Sequence, residues 1–277
     1  MLADLHIHTV YSDGIYTPEQ ILDMAEHVGI KALAITDHDN TNAHARTRKY
    51  LAEKGYDIKF IPGVEIDTFF GSRDYNVHVL GFYFNADNQL LQEKLAWTGA
   101  GRVRRISNII KKIQDRGYDL TVEDVKKEAK LSMSIGRPHI ARVMVRKGYF
   151  PSINEVFDTL IGEGKPCYCK QEKLTPQEAV EVIHQAGGIA SFAHPSEEKK
   201  KKAVDAILAH AKFDAIEVWH PSAQKTHETG LWLKKAKELQ LMTSGGSDFH
   251  GDPRRYPSEL GIFEVKYADV ADIINYK

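Results

Sequence analysis

The chain has 277 residues, 42% of them hydrophobic and 27% charged, an ordinary globular composition with enough apolar material for one large domain or two smaller ones. Its formal net charge of -1, from 37 basic and 38 acidic residues, excludes a global field that would draw in nucleic acid or an anionic membrane, so any preference for anions must be local. No apolar run approaches the ~18 residues of a membrane span, and the first strand begins almost at Met1, so neither a signal peptide nor a membrane anchor is expected and the expected location is the cytoplasm.

In chain order, "ADLHIHT" reads as a strand, with His6 and His8 on one face and Leu5 and Ile7 on the other. "TPEQILDMAEHVG" follows as an amphipathic helix with Thr17 as N-cap, Pro18 at the first helical position and Gly29 as C-cap. "ALAIT" is a continuous apolar run of the kind a parallel strand buried on both faces shows. A helix ("NAHARTRKYLAEKG") and two strands ("IKFIPGVEI" and "NVHVLGFYF") complete the first half. From 88 to 164 the period becomes helical throughout, which predicts an inserted helical domain. The alternation resumes with helix "TPQEAVEVIHQAGG", strand "IASFA", a Lys-rich helix from Glu197 to Lys212, strand "AIEVW", helix "THETGLWLKKAKELQ" and strand "LMTSGG". About seven βα units with apolar strands predict an α/β fold with a parallel sheet closed as a barrel, residues 1–87 plus 165–277, around the 88–164 insertion. The lysines up to Lys202 read as a solvated helix face. Cys167 and Cys169 stand too close in an extended segment for an easy intrachain disulfide and read as reduced strand residues.

Histidine is abundant, at 13 residues, and unevenly placed. His6 and His8 end the first strand with Asp13 in the next loop, Asp37 and His38 end the second, and Glu65 ends the third. His78 lies in the fourth, His194 ends "IASFA", and Asp248 and His250 follow "TSGG". In a parallel barrel these positions share the C-terminal rim. Singly, each has a plain structural role: a core histidine bonded to a carbonyl, or an aspartate closing a turn or capping a helix. Together they cost several kcal/mol each to bury unless they are paired or hold cations, which points to a multinuclear metal site. Imidazole and carboxylate ligands without thiolate suit zinc, manganese or iron, and ions ~3.5 to 4 Å apart lower the pKa of a shared water and clamp both oxygens of a phosphoryl displacement. Hydrolysis of a phosphate ester is the first reaction to expect.

The ordered set "DLHIHTVYSDG", "ITDHD", "PGVEI", "HVLGF", "AHP" and "GSDFHG" resembles the polymerase and histidinol phosphatase (PHP) superfamily. The resemblance implies a distorted (β/α)7 barrel and two or three divalent ions. It places a first ion on His6, His8, Glu65 and Asp248, a second on Glu65, His78 and His194, and a third on Asp13, His38 and His250. Asp13 departs from the family's frequent histidine. Asp37 is expected to support the ligands from behind.

The segments "SIGRPHIARVMVRKGY" and "EVFDTLIGEGKPCY" resemble the branch acting on nucleotide phosphates, which includes nucleoside 3',5'-bisphosphate phosphatases and 5'-to-3' exoribonucleases. That implies a small nucleotide or short RNA as substrate and a helical insertion over the barrel mouth. Gly136 would let backbone approach the site, Arg137 offers a planar fork to phosphate, and His139 stands in the first turn of the helix that follows. His220, at another strand end, is expected to contact substrate or protonate a leaving group, with Asp248 orienting the nucleophile. Arg102, Arg104 and Arg105 form either a positive rim or an exposed helix face. Histidinol phosphatase and an inactive metal-binding regulatory module remain the alternatives, and no obligate protein partner is evident.

Overall fold

The computed structural model describes residues 1–71, 75–129, 135–197 and 202–276. Strand β1 (Leu2–Ile7) leads to α1 (Pro18–Val28), β2 (Ile30–Ile35), α2 (His44–Lys54), β3 (Lys59–Phe70) and β4 (Tyr75–Phe82). Helices α3 (Gln89–Gln114), α4 (Val122–Ala129), α5 (Arg137–Arg146) and α6 (Ile153–Val156) follow, α6 running into a π-helical turn over Phe157–Ile161. The alternation returns with α7 (Pro176–Gln185), β5 (Ile189–Phe192), α8 (Val204–His210), β6 (Ala215–Trp219), α9 (Pro221–Lys225), α10 (Thr229–Glu238), β7 (Met242–Gly245), β8 (Val265–Lys266) and α11 (Ala271–Ile274). Local chemistry sets several boundaries. Thr17 accepts from the Gln20 N–H and Gln20 accepts from the Thr17 N–H, a closed capping box, while Gly29 ends α1 at φ 80, where a Cβ would be strained. Thr175 and Glu178 open α7 in the same way.

The strands form one sheet in the order β7-β6-β5-β4-β3-β2-β1-β8. Its ends approach each other where the His8 N–H donates to the Phe249 carbonyl at 3.0 Å and Ile7 bridges Phe249 in parallel, so the sheet is nearly a closed barrel. The sheet is mixed where the apolar strands predict a parallel one. Strand β4 is antiparallel to both β3 and β5, and β8 is antiparallel to β1. Too few residues separate Phe70 from Tyr75 for a crossover, so β3 and β4 pair as a hairpin with Asp67 opposite His78. Strand β3 also runs past Ile66 to Phe70, because the hairpin partner supplies hydrogen bonds the isolated segment lacks. Helix α8 begins only at Val204, and residues 198–201 of the lysine-rich stretch lie outside the described residues.

The chain separates into two compact units, Met1–Ala96 with Leu174–Lys277, and Trp97–Lys173. Both boundaries fall later than 88 and 164. Leu91 and Leu95, in the first turns of α3, pack with Val64, Ile66 and Phe192 of the barrel unit, whereas Cys167 is buried with Ile109, Val143 and Met144 of the helical unit. Cys167 and Cys169 thus lie in a loop, not a strand, and neither forms a disulfide.

Candidate metal centre

Each site residue of the barrel unit is carried by a strand or by the loop after it. His6 lies within β1 and His8 just beyond it. Their rings stand 5.2 Å apart, while Leu5 and Ile7 are fully buried in two different apolar clusters. Asp37 and His38 follow β2, His194 follows β5, His220 follows β6, and Asp248 and His250 follow β7. Glu65 and His78 sit inside β3 and β4, not at strand ends, and meet diagonally across the hairpin, with Nδ1 of His78 2.6 Å from Oε1 of Glu65. Gly246 makes the closure possible: a Cβ there would lie 2.3 Å from the His6 backbone nitrogen. His194 (φ 32) and Asp248 (φ 52) both adopt left-handed backbone, a strain of roughly 1–3 kcal/mol each of the kind that collects at functional sites.

The side chains converge as overlapping groups. His6, His8, Glu65 and Asp248 have one ligand atom each within 4.8 Å of the others; Glu65, His78 and His194 do so as well, and His8, Asp13, His38 and His250 form a third set. The structure thus brings together the residues of each of the three expected groupings, with His8 beside the third. Two further sets, His38 with Asp67 and His78, and His6 with Glu217 and His220, lie beside them. Glu65 is the hub: Oε2 is 3.4 Å from His6, 3.2 Å from His8 and 3.1 Å from His38, and Oε1 is 3.0 Å from His194. Asp13 reaches His250 at 3.2 Å and is more exposed than the rest.

The carboxylates dominate the field. Burial raises the Glu65 carboxyl, but the charges on His38, His78 and His6 outweigh it and hold it well below the usual carboxylate range. Asp248 and Asp13 are held low by the same opposition, with His250 the leading partner of each. Burial lowers the His8 imidazole, but Asp248 and Glu65 push it up to about 10. Positive charge is demanded where the rings meet.

Support from behind is specific. Asp37 accepts from the Thr9 N–H and hydroxyl and from the Ser12 hydroxyl, and Ser12 lies 3.3 Å from Nδ1 of His8. Glu217 accepts from Nδ1 of His6 at 2.9 Å and from the His194 N–H at 2.7 Å. Asp4 accepts the N–H groups of His6 and Ser247, and burial pushes its carboxyl up to about 6 against those bonds. Asp4, Asp67 and Glu217 escaped the sequence reading, although each signalled itself: Asp4 and Asp67 stand two residues from His6 and Glu65, hence on the same face, and Glu217 is a lone charge inside an apolar strand. Arg255, 3.3 Å from Asp248, had no such signal.

The remaining candidates belong to the helical unit. Arg137 opens α5, lies over both the Phe157 and Tyr168 rings at 5.6 Å, and donates to the Ile161 carbonyl. His139 accepts from the Gly136 N–H at 3.0 Å, and Gly136 is extended (φ -132), a conformation open to any residue, so no backbone demand for glycine arises there. Arg104 pairs with Glu172, while Arg105 donates to the Cys169 carbonyl and lies over Tyr168.

The sequence pattern of the PHP domain matches residues 4–185. The chain belongs to the PHP domain family. Among relatives of this PHP protein, the 5'-3' exoribonuclease Rnm of Escherichia coli is 33% identical over 254 residues, covering 90% of this chain and 85% of that one. The 3',5'-nucleoside bisphosphate phosphatase of Chromobacterium violaceum is 29% identical, over 89% and 86% of the two chains. A Bifidobacterium adolescentis structure, provisionally named a metal-dependent phosphoesterase, matches with a TM-score of 0.79 at 28% identity, covering 98% and 94%. The protein is accordingly an enzyme, a metal-dependent phosphoesterase of the PHP family.

The PHP centre fits divalent ions by its donor set. Nε2 of His6, Nε2 of His8, Nδ1 of His38 and Oε2 of Glu65 are buried and make no hydrogen bond among the described residues. Nδ1 of His6 faces a carboxylate and Nδ1 of His250 donates to the Asp248 carbonyl at 2.7 Å, which makes Nε2 the nitrogen that each ring turns towards Glu65, Asp248 or Asp13 and would offer to a cation held there. No helix among the described residues is long and apolar enough to cross a membrane.

Proposed function

We propose that this PHP enzyme removes the 3'-phosphate of nucleoside 3',5'-bisphosphates, giving a 5'-nucleotide and inorganic phosphate. The observation that carries the reading is the convergence of His6, His8, Glu65, His78, His194 and Asp248, with Nε2 of His6 and Nε2 of His8 buried and unbonded among the described residues. Two or three divalent ions held by these residues and by Asp13, His38 and His250, of manganese, zinc or iron, would supply Lewis-acid charge and an acidified water at neutral pH. The chain's own residues do the positioning. Glu217 holds the His6 ring, Glu65 ties five imidazoles together, and Asp248 faces the cluster with one oxygen and His220 and Arg255 with the other, well placed to orient a nucleophile at the rim. Arg137 and His139 are assigned to recognition of the substrate's other phosphate. The stacking of Arg137 on two rings presents its guanidinium as a rigid plane, suited to bidentate contact.

A second reading, 5'-to-3' exonuclease action on short RNA, is favoured by the name of the 33% identical relative. One experiment separates the two. The metal-reconstituted protein is given nucleoside 3',5'-bisphosphates, mononucleotides and short 5'-phosphorylated RNA, and released phosphate and mononucleotide are counted. Preferential phosphate release from bisphosphates is expected. Mononucleotide release from RNA at higher kcat/KM would install the second reading, and inertness towards all three would overturn both. Arg137→Ala should cost bisphosphates at least about tenfold more than p-nitrophenyl phosphate, the worth of one charge-assisted hydrogen bond, and equal losses would remove Arg137 from recognition.

A further inference from the structure

His220 sits among the histidines of the centre, its ring 5.2 Å from that of His194 and 6.0 Å from that of His6, and with His6 and Glu217 it could be taken for part of another ion site. Its hydrogen bonding argues otherwise. His220 is the N-cap residue of α9, and its Nδ1 accepts the backbone N–H of Ser222 at 3.1 Å and lies 2.7 Å from the Ser222 hydroxyl, which can turn its proton to the same lone pair. An amide N–H can only donate, so Nδ1 carries the lone pair and the neutral ring must hold its proton on Nε2. His250 shows the opposite arrangement, with Nδ1 bonded to a carbonyl that can only accept. The two rings are therefore used in opposite senses: Nδ1 donates in His250 and accepts in His220, which leaves His220 with its N–H on Nε2.

The Nε2 of His220 is buried, makes no hydrogen bond among the described residues, and lies 3.8 Å from Oδ2 of Asp248, beyond bonding range. A buried N–H without an acceptor costs about 1–3 kcal/mol and is tolerated where a ligand supplies the missing oxygen. With Nδ1 committed to the Ser222 amide, the ring can exchange the Nε2 proton for another only by breaking the cap, a geometry that holds the proton in place. Coordination through Nε2 would likewise require breaking the cap.

We propose that His220 is a fixed Nε2–H donor to a phosphoryl oxygen of the substrate, and neither a cation ligand nor the general acid. This rests on the phosphoester reading above. Because the proton's position is set by a backbone amide, it should survive metal loading, whereas rings such as His6 change partner on Nε2.

The test uses the full chain with 15N-labelled histidine, loaded with zinc, and long-range 1H–15N spectra in which the His220 signals are identified by their loss in His220→Asn. A protonated Nε2 and an unprotonated Nδ1 are expected before and after zinc, with the Nε2 proton moving downfield on addition of inorganic phosphate. A proton on Nδ1, a zinc-shifted Nε2 or indifference to phosphate would each overturn the proposal. His220→Asn, which keeps a capping oxygen, should retain the full metal content while losing about 30-fold or more in kcat/KM, and loss of one ion per chain would show a ligand instead. If the unaltered enzyme hydrolyses no phosphate ester, the phosphoester reading fails by itself, and the tautomer and the phosphate-induced shift still decide the donor role.

Discussion

Glu217 makes two hydrogen bonds that matter more than its own charge, to Nδ1 of His6 and to the backbone of His194. It settles which nitrogen of His6 faces the centre, so Glu217→Gln should weaken metal binding about 10–100-fold in a competition titration with a chelating dye. Unchanged affinity would show that the ring is held by packing alone. His44 carries a different kind of information. Its Nε2 lies 2.8 Å from the Gly63 carbonyl, and burial, the leading cause, lowers its pKa from the usual 6.5. The folded state therefore holds His44 neutral while the unfolded chain binds a proton below pH ~6.5, so this contribution is complete above that pH and is lost as pH falls. The drop in Tm between pH 8 and pH 5.5 should be smaller in His44→Gln, which keeps a donor for Gly63, than in the unaltered protein, and an equal drop would exclude His44 as a cause. At this scale the pairing of His6 with His8 was legible because period-2 alternation places them on one face. The tautomer of His220 was not, since it depends on where the Ser222 amide points.

The elements supply rigidity through close approach. Strand β7 delivers Asp248 and His250 only by passing directly over His6, and Gly246 is the residue at the contact. The clash in Gly246→Ala is with backbone, which cannot rotate away, so a loss of about 2 kcal/mol or more in urea unfolding is expected together with a fall in bound metal. Gly230 in α10 is the control: a Cβ there meets nothing within 4 Å, and Gly230→Ala should stabilise by up to about 1 kcal/mol. A destabilised Gly230→Ala, or a neutral Gly246→Ala, would contradict this account of the two positions. Helix α1 was readable to its ends because a capping box and a left-handed glycine are local signals. The direction of β4 was not readable from apolar content. An apolar run suits either direction, and the brevity of the connection from β3 settles it.

For the whole molecule, the centre is where stability and function meet. Its carboxylates push the His6, His8 and His38 imidazoles towards their charged forms, so a cation filling the centre competes with those protons for the same carboxylates. Stripping metal with a chelator should lower Tm, and each ion restored at a hundredfold excess over its Kd should return about 2.7 kcal/mol. A Tm indifferent to metal would mean that the ions bind the unfolded chain as well, or do not bind here. The helical unit keeps an apolar core of its own, built on Ile109, Val143, Met144 and Cys167, so core substitutions there should leave metal content unchanged.

What the sequence by itself determined is what the backbone period and side-chain chemistry settle locally: the donor types, which residues share a strand face, where helices start and stop, and the family pattern they spell. The tertiary structure decided the rest. It placed Glu217 and Asp4 beside His6, turned β4 against its neighbours, brought Gly246 onto His6, and set the Ser222 amide against Nδ1 of His220 and the Asp248 carbonyl against Nδ1 of His250. The reason is physical. A strand's alternation is built into its own geometry, whereas the direction in which it pairs and the protonation of a buried ring depend on hydrogen-bond partners that only folding brings into reach.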